Sequence, residues 1–134
     1  MTRCVVDTNI VVYYLNQVGG DDFRRRFDEI VEKGAVISVI TRIEVLSWPG
    51  YADVSPAMAV AEALLSILRE EPLTDPIVQA AIVLRRNYQI KVPDAIVAAT
   101  AKVLDLPLMT NNTEDFGRVA GLKLLDPVVS FEIK

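Results

Sequence analysis

Four acids in this chain have the type and placement to do chemistry together: Asp7, Glu44, Asp94 and Asp115. Asp7 closes the short apolar run Arg3-Cys4-Val5-Val6 and leads into Ile10-Val11-Val12-Tyr13-Tyr14-Leu15, which reads as a helix. An acid at the carboxyl end of a first strand stands where open parallel sheets bind ligands. Glu44, Asp94 and Asp115 each fall at or near a helix start that follows a strand or a short approach to the core. That placement predicts all four at one edge. Carboxylates crowded there repel one another unless a divalent cation balances them. The chain has no histidine and one cysteine, which excludes a histidine base, a histidine-bearing triad and an imidazole or cysteine-rich metal site. Oxygen donors remain, and they suit Mg²⁺ or Mn²⁺.

Each acid also has a purely local explanation. Asp7 can cap the helix after it. Thr41-x-x-Glu44 fits a capping box, although Ile40 and Trp48, four residues to either side, put Glu44 on an otherwise apolar stripe facing inward or at the core border. Asp94 follows Pro93 in a first helical turn, where a carboxylate complements the macrodipole. Asp115, three residues after Asn112, is cap-like too. Taken together, the four favour a metal site over four separate caps.

The elements that must position these acids alternate in type. Phe23, Phe27, Ile30 and Val31 give Asp21 to Lys33 helical spacing, and Gly34 ends that helix. Ala35-Val36-Ile37-Ser38 reads as a second strand, and Ile40 to Trp48 as a short helix stopped by Pro49-Gly50. Pro56 opens a helix with the stripe Ala61, Leu64, Leu65, Leu68. Pro72-Leu73-Thr74 is read as a short strand, and Pro76 opens a helix to about Tyr88. Asp94 to Leu104 is apolar nearly all round, so it is expected to be buried. Pro107 to Thr110 reads as a strand, Asn112 to Val119 as a short helix, and Leu122 to Leu125 as a last strand. This alternation predicts an α/β class: a parallel sheet of about four to five strands flanked by helices in an α/β/α sandwich.

At 134 residues, 51% hydrophobic and 24% charged, the chain is expected to be one globular domain over residues 1–134. No apolar run approaches the roughly 20 residues of a membrane span. The first strand begins too early for a signal peptide, so a cytoplasmic location is expected. A net charge of −4 argues against a broad basic nucleic-acid surface. Arg85, Arg86 and Lys91 are the basic residues that could border a nucleic-acid groove, whereas Arg24-Arg25-Arg26 lies among acids and reads as a solvated helix face. Trp48-Pro49-Gly50-Tyr51 is either a loop anchor or a partner pocket. Without histidine the serines have no activating base, so acyl-enzyme chemistry is disfavoured.

The sequence resembles PIN-domain nucleases, and among them the VapC-like toxins of toxin–antitoxin pairs. The segments that carry the likeness are Val5-Val6-Asp7-Thr8-Asn9, Ser38 to Leu46, Pro93-Asp94-Ala95-Ile96-Val97-Ala98-Ala99-Thr100-Ala101 and Met109 to Phe116. The resemblance implies a metal-dependent endoribonuclease with its family acids at Asp7, Glu44, Asp94 and Asp115. It places Thr110 and Asn112 as auxiliary residues supporting the fourth acid. It also implies an RNA substrate, a small antitoxin reaching into the acidic groove, and a homodimer. Asp7 and Asp94 are then expected to ligate Mg²⁺ or Mn²⁺ directly. Glu44 and Asp115 would complete the shell around one or two ions or orient the attacking water.

Three other functions compete. A housekeeping RNA-processing PIN nuclease shares every one of these features. An aspartyl-phosphate phosphatase also places Asp at the end of its first strand, but usually carries a second Asp where this chain has Asn9. An interaction protein would use the acids only as helix caps.

Overall fold

The computed structural model describes residues 3–51 and 55–127. Strands β1 (Val5–Val6), β2 (Val36–Ser38), β3 (Arg69–Glu71), β4 (Leu108–Met109) and β5 (Leu124–Leu125) pair in parallel in the order β3-β2-β1-β4-β5. The order reverses between β1 and β4, and ligands bind outside the carboxyl ends of strands at such a reversal. Among the described residues seven helices connect the strands: α1 (Thr8–Leu15), α2 (Gly20–Lys33), α3 (Val39–Leu46), α4 (Pro56–Ile67), α5 (Asp75–Asn87), α6 (Val92–Leu104) and α7 (Thr113–Phe116).

The period of two along each strand divides the core. Val6, Ile37 and Met109 point to one face, where they meet Phe23, Phe27 and Ile30 of α2 and Ala61, Leu64 and Leu65 of α4. Val5, Val36 and Leu108 point to the other, against Ile77 and Leu84 of α5, residues 95–99 of α6, and Phe116. The register Val5↔Val36 and Val5↔Leu108 keeps each set on its own face. The expected α/β/α sandwich with an all-parallel sheet is the observed architecture, and α6 is buried from Ala95 to Ala101 as its all-round apolarity predicts. Among the described residues no helix is long and apolar enough to cross a membrane.

Two expectations need correction. The third strand is Arg69–Glu71, not Pro72 to Thr74. An edge strand has one free side in solvent, so charged residues serve there, and Pro72 lacks the N–H to prolong the ladder. The cap of α3 is Ser38, whose hydroxyl accepts from Ile40 N at 3.1 Å. Thr41 therefore lies inside the helix and is buried, so no capping box joins it to Glu44.

Candidate active site

Asp7 ends β1 and caps α1, but the cap uses only one of its oxygens. Oδ1 accepts from Thr8 N at 2.8 Å, while Oδ2 accepts from the Thr110 hydroxyl at 2.8 Å. Thr110 follows β4, so this bond crosses the reversal in strand order. Asp7 as a whole is only 5% exposed. Burial pushes its pKa up to about 6; the bonds from Thr110 and Thr8 pull it down, and the charges of Asp94 and Glu44 push it up.

Asp94 sits in the first turn of α6, half-buried, where Pro93 helps start the helix. Its pKa is raised by burial, then by the charges of Glu44 and Asp115, while Lys91 opposes the shift. Asp94 is therefore the acid that shares its field with the other three. Among the described residues its carboxylate accepts no hydrogen bond.

Glu44 is exposed, in the second turn of α3, rather than facing inward or bordering the core. The stripe that suggested burial opens outward at its far end, where Trp48 is 59% exposed. Glu44 Oε1 accepts from the Thr8 hydroxyl at 2.6 Å. Asp115, in the first turn of α7, accepts from Asn112 Nδ2 at 3.2 Å and lies 3.5 Å from an Arg118 nitrogen. Asn112 in turn caps α7 by accepting from Asp115 N. Thr110 thus serves the first acid rather than the fourth; it reaches the fourth only indirectly, by accepting from Asn112 N at 3.0 Å.

The topology brings the four predicted acids into one electrostatic field. Among the described residues, however, no three histidine, cysteine or acidic side chains form a group that could already hold a metal ion. The donor chemistry nevertheless fits a hard divalent cation. All donors are oxygen, and Asp7 and Asp94 are raised in pKa first by burial and then by the charges of the neighbouring acids, which a bound cation would offset.

The three basic candidates separate. Lys91 is exposed and acts on Asp94. Arg85 instead donates to the Ile90 carbonyl at 2.7 Å and secures the turn after α5. Arg86 is exposed beside an apolar groove between α5 and α6. In the other arginine run, Arg25 pairs with Asp22, whereas Arg24 lies 4.3 Å over the Tyr14 ring and is not merely solvated. Trp48 stands edge-on to Tyr51, ring centroids 5.1 Å apart, and lines a concavity of about 810 Å³ that Glu44 also enters.

Residues missed from the sequence are Thr8, Thr41 and the amide pair Asn9–Asn111. Asn9 Nδ2 donates to Asn111 Oδ1, linking the segments after β1 and β4. A signal was present: neighbouring strands both end in polar triplets, Asp7-Thr8-Asn9 and Thr110-Asn111-Asn112. Asn9 also weakens the phosphatase alternative, since an amide committed to Asn111 cannot act as an acid.

A five-stranded parallel sheet with acids at its point of reversal defines an α/β domain with an acidic site. More specifically, the PIN domain family model matches residues 4–122, and the chain belongs to the PIN domain family. PIN domains are nucleases, and they generally use divalent metal ions. The structure is similar to a chain of a toxin–antitoxin complex from Klebsiella pneumoniae, with 28% identity and a TM-score of 0.76, covering 92% of this chain and 97% of that one. It is also similar to a chain of DNA-bound VapBC from Salmonella typhimurium, with 22% identity and a TM-score of 0.83, covering 95% and 99%. A third is VapBC2 from Rickettsia felis bound to a promoter DNA fragment, with 21% identity and a TM-score of 0.80, covering 92% and 98%. No curated protein matches the chain.

Proposed function

We propose that this protein is a Mg²⁺- or Mn²⁺-dependent endoribonuclease that acts as the toxin of a toxin–antitoxin pair in the cytoplasm. The observation that carries the nuclease reading is the mutual field of Asp7, Glu44, Asp94 and Asp115 at the strand reversal of a PIN fold. Asp7 and Asp94 would hold the ion, with Glu44 and Asp115 completing the oxygen set. When bound, the ion supplies Lewis acidity toward the scissile phosphate and makes an attacking water more acidic. The chain's own work is to fix the donors. Thr8 N–H and the Thr110 hydroxyl hold Asp7, the Thr8 hydroxyl holds Glu44, and Asn112 holds Asp115. Hydrolysis by external water needs no serine, cysteine or histidine nucleophile. Lys91, whose charge acts on Asp94, is the basic contact we assign to the RNA backbone, with Arg86 at the rim of the α5–α6 groove as a weaker one.

The toxin role draws support from the likeness to chains of toxin–antitoxin complexes. The concavity at Trp48, Tyr51, Val12 and Leu15 leads to Glu44 and suits an antitoxin segment with apolar anchors. The groove between α5 and α6, with exposed Ile82 and Val92, is the surface we assign to a second copy of the chain.

The test is cleavage of RNA by purified, antitoxin-free protein in Mn²⁺ or Mg²⁺, beside EDTA and Asp94→Asn controls. Cutting that disappears in both controls is expected. Folded protein that cuts nothing and takes up no Mn²⁺ in calorimetry would overturn the proposal.

A further inference from the structure

Thr8 stands between two of the acids and donates to both. Its backbone N–H reaches Asp7 Oδ1 at 2.8 Å, and its hydroxyl reaches Glu44 Oε1 at 2.6 Å. A hydroxyl has one proton. With that proton on Glu44, Thr8 Oγ1 is an acceptor toward Thr41 Oγ1, 3.0 Å away. Thr41 is fully buried and lies three residues before Glu44, on the same side of α3. The carboxylate can only accept, so the Thr8 proton goes to Glu44 and the buried Thr41 hydroxyl is left to donate to Thr8 Oγ1.

Glu44 needs such a tether. It is exposed, and a glutamate has three side-chain torsions through which to wander. It shares the field of Asp7 and Asp94, both of which repel it. Among the described residues it has no cationic partner. A short bond from a hydroxyl to a carboxylate is of the stronger, charge-assisted kind.

We propose that Thr8 is a positioning residue that acts through Glu44, its hydroxyl oriented by Thr41, and that this relay sets how tightly the site takes a divalent cation. The inference rests on the reading of the four acids as a metal site. Groups that orient metal ligands typically change affinity or activity by about 10–100-fold when removed.

The experiment is Mn²⁺ titration by calorimetry of metal-stripped protein, as a double-mutant cycle over Thr8→Val and Glu44→Gln. Each single variant is expected to weaken Mn²⁺ binding about tenfold or more, and Thr8→Val to add almost nothing once Glu44 is Gln. Thr8→Ser is expected to restore binding, which a packing role for the threonine methyl would not allow. If Thr8→Val lowers the folded fraction, Thr8→Ala removes the same hydroxyl at a helix start that accepts alanine. Wild-type binding with unchanged affinity in Thr8→Val, or losses that simply add, would overturn the relay alone. Wild-type protein that takes up no Mn²⁺ would remove the metal-site reading and the relay with it.

Discussion

The Thr110 hydroxyl donates to Asp7 Oδ2 over 2.8 Å, joining the ends of neighbouring strands between residues 103 positions apart in sequence. The bond serves the most buried of the four acids and pulls its pKa down against the effect of burial. Thr110→Val keeps the shape and removes the donor. The Asp7 pKa is expected to rise above its present value of about 6, and stability at pH 7.5 to fall by about 1–3 kcal/mol. An NMR titration of the carboxyl carbons and urea unfolding check both, with Thr110→Ser as the variant that keeps the bond.

Asp7 makes the metal-free fold depend on pH in a definite direction. Its folded pKa of about 6 lies above the ordinary 3.8, so between those values the native state holds more protons than the unfolded chain. Stability therefore falls as pH rises from about 4 through 6, then levels off. Asp94, raised as well, acts in the same sense. Each pH unit is worth about 1.4 kcal/mol, so Asp7→Asn should stabilise the metal-free protein at pH 7.5 by up to about 3 kcal/mol. The same variant should abolish cleavage. Urea unfolding at pH 5 and pH 7.5 is the measurement, and the gap between the two curves should narrow in Asp7→Asn.

Mn²⁺ should offset that cost. At about 100 times its dissociation constant, a ligand of the native state adds about 2.7 kcal/mol. The melting temperature of wild-type protein is expected to rise with Mn²⁺ at pH 7.5, to return on adding EDTA, and to respond far less at pH 5, where protons compete for Asp7. Asp94→Asn should remove the response. Differential scanning calorimetry reads all four conditions.

The basic candidates should divide by what they touch. Lys91→Ala is expected to weaken RNA binding and lower the salt-dependence slope by about 1, as the loss of one phosphate contact does. Arg85→Ala should instead cost about 1 kcal/mol of stability, because it leaves the Ile90 carbonyl without its donor. Binding at several salt concentrations and thermal unfolding distinguish the two.

Val5 and Val6, the Phe23-Phe27-Ile30 stripe and the uniformly apolar α6 made the layers legible in the sequence, because hydrophobic periodicity is a local property of the chain. The absence of histidine and the single cysteine limited any metal ligands to oxygen. The placement of Asp7, Asp94 and Asp115 in first turns or caps followed from strand ends, prolines and Asn112. Strand Arg69–Glu71 escaped because an edge position tolerates the charges that disguise it. Ile40 and Trp48 define a stripe that puts Glu44 facing inward or at the core border, but where that stripe ends depends on what packs above it, and Glu44 is exposed. That Thr110 serves Asp7, that Arg85 is spent on Ile90, that Thr8 reaches Glu44 and that Thr41 meets Thr8 were settled only in three dimensions. A hydrogen bond depends on angstroms between groups far apart in the chain. Residue spacing fixes which face and which end of an element a side chain occupies, and strand order then decides which neighbour it meets.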